Sequence, residues 1–72
     1  MPNQHVVPSQ GLWAVRPAGS ARVTVRLRTQ ADAIRRARRI ARRQRCELLV
    51  HGRDGRIRAR DTFGHDPVVT KG

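Results

Sequence analysis

The sequence predicts an α+β domain: an antiparallel sheet with chain order β-β-β-α-β-β and one helix packed on one sheet face. Three observations carry that expectation. Residues 21–28 alternate apolar and polar side chains with a period of two, the signature of a half-buried strand. Behind Thr29, apolar residues recur at helical period through Ala41. Asp54-Gly55 separates two further strand-like runs, as in a tight hairpin.

Taken in order, His5 to Val7 forms a short first strand, stopped by Pro8-Ser9-Gln10-Gly11. Leu12 to Arg16 alternates as a second strand, and Pro17-Ala18-Gly19-Ser20 is a turn. Ala21 to Arg28 is the third, with Val23, Val25 and Leu27 on one side and Arg22, Thr24, Arg26 and Arg28 on the other. Thr29 is a suitable helix N-cap, and Asp32 completes a capping-box-like pair while placing negative charge at the positive end of the helix dipole. Ala33, Ile34, Ala37, Ile40 and Ala41 then form one thin apolar stripe, with Arg35, Arg36, Arg38, Arg39, Arg42 and Arg43 covering most of the rest.

Glu47 to His51 and Arg56 to Thr62 are the last two strands. A two-residue type I′ turn at Asp54-Gly55 pairs Gly52 with Ile57, Val50 with Ala59 and Leu48 with Asp61. In that register Ile57 and Ala59 face the core, and His51, Arg53, Arg56, Arg58 and Arg60 face outward. The uncovered sheet face is then lined by Arg22, Arg26, Arg28, Arg56, Arg58 and Arg60. It also presents Leu12 or Trp13 and Leu49, a suitable place for a second subunit. His65-Asp66-Pro67 reads as a turn, and Val68-Val69 could add to an edge. Residues 1–4 and 67–72 are expected to be loose tails of a single domain.

Seventy-two residues allow only a marginal core. Cys46 is the only cysteine, so no intrachain disulfide can reinforce that core, and a homodimer is the expected reinforcement. The chain shows neither a secretory leader nor a run long enough to span a bilayer, so the expectation is a cytoplasmic protein without membrane attachment. The formal net charge is +11, and every basic residue except Lys71 is arginine. Such charge attracts polyanions. Arginine with abundant alanine and glycine is also what a GC-rich genome encodes, so charge alone does not decide the function.

Little supports catalysis. His51-Gly52-Arg53-Asp54 suggests a kinase catalytic loop only superficially, because the chain has no nucleotide loop or metal-binding partner residues. The Gly-Arg-Asp-Gly segment lacks the lysine and following helix of a phosphate-cradling loop. His5, Cys46, His51 and His65 have no short ligand spacing, so no metal and no other cofactor is expected. Cys46 and His51 lie five residues apart on one strand and point to opposite faces, which is awkward for a nucleophile and its base.

The expected activity is therefore binding: sequence-tolerant attachment to DNA or RNA phosphates through an arginine-rich helix face. Arg35, Arg38, Arg39, Arg42 and Arg43 are the first candidates, and Arg56, Arg58 and Arg60 the second. Trp13 and Phe63 are too few aromatics for a sheet that stacks successive bases. The alternative is a phage or bacterial protein-interaction module (a regulator, adapter or inhibitor) that docks on an acidic protein partner. For the helix itself, the bland reading is a solvated charged face.

HVVP at residues 5–8, GLWAV at 11–15, TQADAI at 29–34 and LLVHGRDGRIRARDTFGHDP at 48–67 occur in this order. Together they resemble the small bacterial and phage family known as domain of unknown function 2188, over nearly the whole chain. The resemblance implies no activity and supplies no catalytic residues. The helix is more arginine-rich here than the mixed-charge helix of that family. The element order is also similar to a fold in which two three-strand, helix, two-strand units share one sheet and exchange their C-terminal strands. That analogy implies a homodimer.

Overall fold

A computed structural model describes residues 2–63. The elements are β1 (Gln4–Ser9), β2 (Leu12–Pro17), β3 (Val25–Leu27), α1 (Gln30–Gln44), β4 (Glu47–His51) and β5 (Ile57–Thr62). They form one five-stranded sheet in the spatial order β3-β2-β1-β4-β5. The expected class holds, α+β with one helix. The expected turn at 65–67, the edge at Val68-Val69 and the tail 67–72 lie outside the described residues, whereas Gln4 already belongs to β1.

The sheet is mixed, which corrects the purely antiparallel arrangement. β1 pairs antiparallel with β2, β2 antiparallel with β3, and β4 antiparallel with β5, but β1 and β4 run parallel. Helix length supplies the reason. α1 has 15 residues, and at 1.5 Å per residue it returns the chain by about 22 Å. A strand entered after such a return resumes the direction of β3, and two antiparallel steps make β3 parallel to β1. The helix is thus a crossover that skips β2 and β1 and delivers β4 beside β1. The C-terminal hairpin completes this chain's own sheet.

Turn chemistry also differs from expectation. The type I′ turn sits between β1 and β2, where Gln10 and Gly11 both have positive φ (52° and 79°) and Ser9 pairs with Leu12. At the second hairpin only Gly55 is left-handed, with φ 87°. Gly55 N–H donates to Gly52 O at 2.9 Å and Gly52 N–H to Arg56 O at 2.7 Å, a three-residue loop. Asp54 Oδ1 accepts from Arg56 N–H at 3.0 Å, a local bond that favours this loop over a turn with Asp54 itself left-handed. Leu48↔Asp61 and Val50↔Ala59 keep the expected register. His51 then pairs with Ile57 across a register shift, in place of Gly52.

The third strand is shorter than the alternation suggested. Ser20 Oγ accepts from Arg22 N–H at 3.1 Å, holding the backbone in a local turn. β2 ends at Pro17, which has no N–H to offer a neighbour.

α1 begins where the cap predicts. Thr29 is extended (φ −121°, ψ 154°), and its Oγ1 accepts from Asp32 N–H at 3.0 Å. Ala33, Ala37 and Ala41 are wholly buried and lie against Val6, Val15, Leu48 and Val50. Trp13 belongs to this same core at 8% exposure, and Leu12 is the exposed one of the two residues left as alternatives. The expected core placement of Ile57 and Ala59 is corrected. β5 is the outer edge strand and all its residues are exposed, Ile57 by 50%.

The helix ends on an unfavourable residue. Arg45 takes the left-handed conformation (φ 54°, ψ 57°) so that Cys46 N–H can reach Ala41 O at 3.0 Å. A non-glycine residue there costs about 1–2 kcal/mol, partly offset because glycine is freer in the unfolded chain. Arg45→Gly should therefore stabilise the fold by about 0.5–1 kcal/mol in urea titration; a loss of stability would contradict the cap geometry.

Candidate nucleic-acid interface

The burial of three alanines dictates what the rest of α1 does. With that stripe against the sheet, Arg35, Arg36, Arg38, Arg39, Arg42 and Arg43 are all exposed. Four acidic side chains lie among the described residues, and each takes one arginine. Asp32 pairs with Arg35 and Asp61 with Arg38 at 3.8 Å, while Asp54 pairs with Arg56 and Glu47 with Arg60 at 3.9 Å. These are long contacts between exposed groups, worth at most about 1 kcal/mol each, so a phosphate could displace them.

The eight predicted arginines therefore divide. Arg35, Arg38, Arg56 and Arg60 share an acid. Arg58 Nη1 donates to Gln30 Oε1 on the helix at 3.3 Å, whereas Arg60 reaches Glu47. The expected outward row Arg56-Arg58-Arg60 is thus split by the register shift near His51. The Arg42 guanidinium lies 5.8 Å from the Phe63 ring centroid, a cation–π contact. Arg39 and Arg43 do converge, in company with Arg36.

Arg36, Arg39 and Arg43 line a cleft of about 470 Å³ between α1 and the sheet ends at Gln4 and Pro17. A second hollow of about 260 Å³, bordered by Leu27, Asp32 and Arg35, shares Arg36 and Arg39 with it. Among the described residues no acidic side chain pairs with Arg36, Arg39, Arg42 or Arg43. Arg36 was not among the sequence candidates. The missed signal was its spacing, since residues 36, 39 and 43 follow i, i+3, i+7 and share one helix side. Nothing local in the sequence marks Gln4.

On the sheet face away from α1, His5 Nδ1 and His51 Nε2 are 2.8 Å apart, and His51 Nδ1 is 2.9 Å from Gly55 O. A carbonyl only accepts, so His51 Nδ1 carries a proton, and the bond between His51 Nε2 and His5 Nδ1 takes a single proton from one ring or the other. Burial, then His51 and then Arg16 hold His5 below its ordinary pKa of 6.5. Cys46 lies on the helix side, 4% exposed, and burial pushes its thiol up, away from the thiolate a nucleophile needs. Among the described residues no three His, Cys, Asp or Glu side chains gather as a metal site would require. No described helix is long and apolar enough to cross a membrane.

A family model described as "Uncharacterized protein conserved in bacteria (DUF2188)" matches residues 4–63. The uncharacterized protein YdaT of Bacillus subtilis is 35% identical over 61 residues, covering 85% of this chain and 41% of that protein. The chain thus spans about two fifths of the length of this curated relative. No solved structure matches it.

The histidine pair sets a pH dependence. Because His5 has a lowered pKa in the fold, the unfolded chain takes up its proton first as pH falls through 6.5. Stability contributed by neutral His5 is present above that pH and lost below it. The thermal midpoint should fall from pH 7 to about pH 5.5, above the range where carboxylates titrate. His5→Gln should flatten that segment; an unchanged slope would refute the assignment.

Proposed function

We propose that this chain, which belongs to the bacterial family DUF2188, is a small non-enzymatic protein that binds nucleic acid through the arginine-rich outer side of α1. One observation carries the reading. Arg36, Arg39, Arg42 and Arg43 stand exposed along one helix with no acidic partner among the described residues. Each guanidinium in this row can offer two parallel donors to a phosphate. Contacts of this kind read charge and position rather than base identity, so binding is tolerant of sequence. Arg35 and Arg38 join the row when phosphate replaces Asp32 and Asp61. Arg56, Arg58 and Arg60 lie on or beside the β5 edge and serve as secondary contacts.

Self-association belongs to the same reading. Among the described residues, β3 and β5 end the sheet with open ladders, and β5 is exposed along its length with Ile57 outward. Pairing of β5 with a second copy would cover that edge and add to a thin core. Sedimentation at micromolar concentration should then give a dimer, and a monomer would dismiss the proposal.

The binding test is fluorescence anisotropy on duplex and single-stranded oligonucleotides across a salt series. The triple change Arg39→Gln, Arg42→Gln, Arg43→Gln should weaken binding to unrelated sequences alike. It should also flatten the slope of log affinity against log salt by about 2–3 on duplex. Undetectable binding at low salt would overturn the reading and favour docking on an acidic protein instead.

A further inference from the structure

The cleft beside α1 holds more than a phosphate site requires. Its donors are in excess: the guanidinium groups of Arg36, Arg39 and Arg43, with the Thr24 hydroxyl nearby. It also has an apolar wall from Pro17 and Ile40. In its lining lies Gln4, only 2% exposed. The Gln4 Nε2 donates to Gln44 Oε1 at 3.2 Å, but its Oε1 has no partner among the described residues. A buried carbonyl oxygen without a donor is uncommon in a folded protein and marks a place where a donor is missing.

Each feature restricts the ligand. Three cations on one helix side select an anion. The Pro17–Ile40 wall selects an attached apolar or planar group. The Gln4 carbonyl is itself buried, and once its side chain turns into the cleft it selects a group that carries N–H. A cleft of about 470 Å³ falls in the range of small-ligand sites and is larger than a phosphate alone would fill. A phosphate joined to a flat ring bearing N–H is a nucleotide.

We propose that the cleft takes one nucleotide unit, its phosphate on Arg36, Arg39 and Arg43 and its base against Pro17 and Ile40 with an N–H turned toward Gln4. The unit is supplied either free or as part of a single strand. A duplex cannot supply it, because its bases are paired and stacked, so the cleft confers a preference for single strands that the outer arginines do not. In its single-strand form the proposal rests on the nucleic-acid reading above. Gln4 belongs to the cleft alone, and a free nucleotide needs no outer row, which allows the two to be separated.

The test uses the full chain and calorimetric titration with AMP, adenosine, inorganic phosphate, a short oligo(dA) strand, and that strand annealed to oligo(dT). AMP should bind at least about tenfold more tightly than either phosphate or adenosine, the worth of one well-placed hydrogen bond to a charged group. Gln4→Leu should weaken AMP and oligo(dA) by about tenfold and leave the duplex within about twofold, and Arg36→Gln should weaken AMP and oligo(dA) by about tenfold. Arg36 is exposed, so its change reports on the cleft even if the buried Gln4 change perturbs folding. AMP binding no tighter than phosphate, or AMP binding indifferent to Arg36→Gln, overturns the proposal. If AMP binds as expected while strand and duplex both fail, the free nucleotide is the ligand and the nucleic-acid reading is overturned. If duplex binds and AMP does not, the cleft proposal alone is overturned.

Discussion

Three alanines set the terms for the rest of the molecule. Ala33, Ala37 and Ala41 are the only fully buried residues of α1, and they bring its backbone close to the sheet. Alanine fixes no side-chain rotamer on burial, so this contact orders the helix at little entropic cost. It also contributes little apolar area, and the larger share of the core comes from Val6, Trp13, Val15, Leu48 and Val50 of the sheet. The remaining helix positions have no room beneath them. Six arginines between residues 35 and 43 are consequently held outward on one rigid rod. Their mutual repulsion is a standing cost that a polyanion would relieve.

The parallel pairing of β1 with β4 places that rod. β4 enters beside β1 through Gln4↔Leu48 and Val6↔Val50, so the crossover helix lies over β1 and β2, with β4 and β3 to either side, and leaves β5 outermost. One flank of α1 then overhangs the ends of β1 and β2, where Gln4 pairs with Pro17. That overhang is the cleft. Its chemistry combines residues from the start of the chain with a helix side some forty residues later, so no single segment contains it.

Local signals were legible in the sequence and long-range ones were not. The Thr29–Asp32 cap, the alanine stripe and the pairs Leu48–Asp61 and Val50–Ala59 depend on residues close together in the chain, where periodicity and capping chemistry apply directly. The parallel step was hidden because the third strand read as a continuous alternation from Ala21, and because the crossover's direction follows from helix length rather than composition. Leu12 and Trp13 stayed alternatives for a related reason. Alternation along a short strand assigns two faces but does not say which one the helix will cover. Ile57 and Ala59 fit a buried pattern, yet strand order put them at the edge. At the interface, Arg39 and Arg43 were identifiable as helix-surface cations. Arg36 needed attention to helix sides, and Gln4 needed the fold itself.

The central claim is that one flank of α1, and not positive charge in general, makes the contact. Nitrogen-15 NMR of the arginine Nε–Hε groups during titration with a short oligo(dA) strand tests this directly, since every arginine reports separately. Arg36, Arg39 and Arg43 should shift first and together, with Arg42 close behind, while Arg53, Arg56 and Arg60 change only late in the titration. Shifts that begin on the β5 edge, or that spread evenly over all arginines from the first addition, would contradict the account.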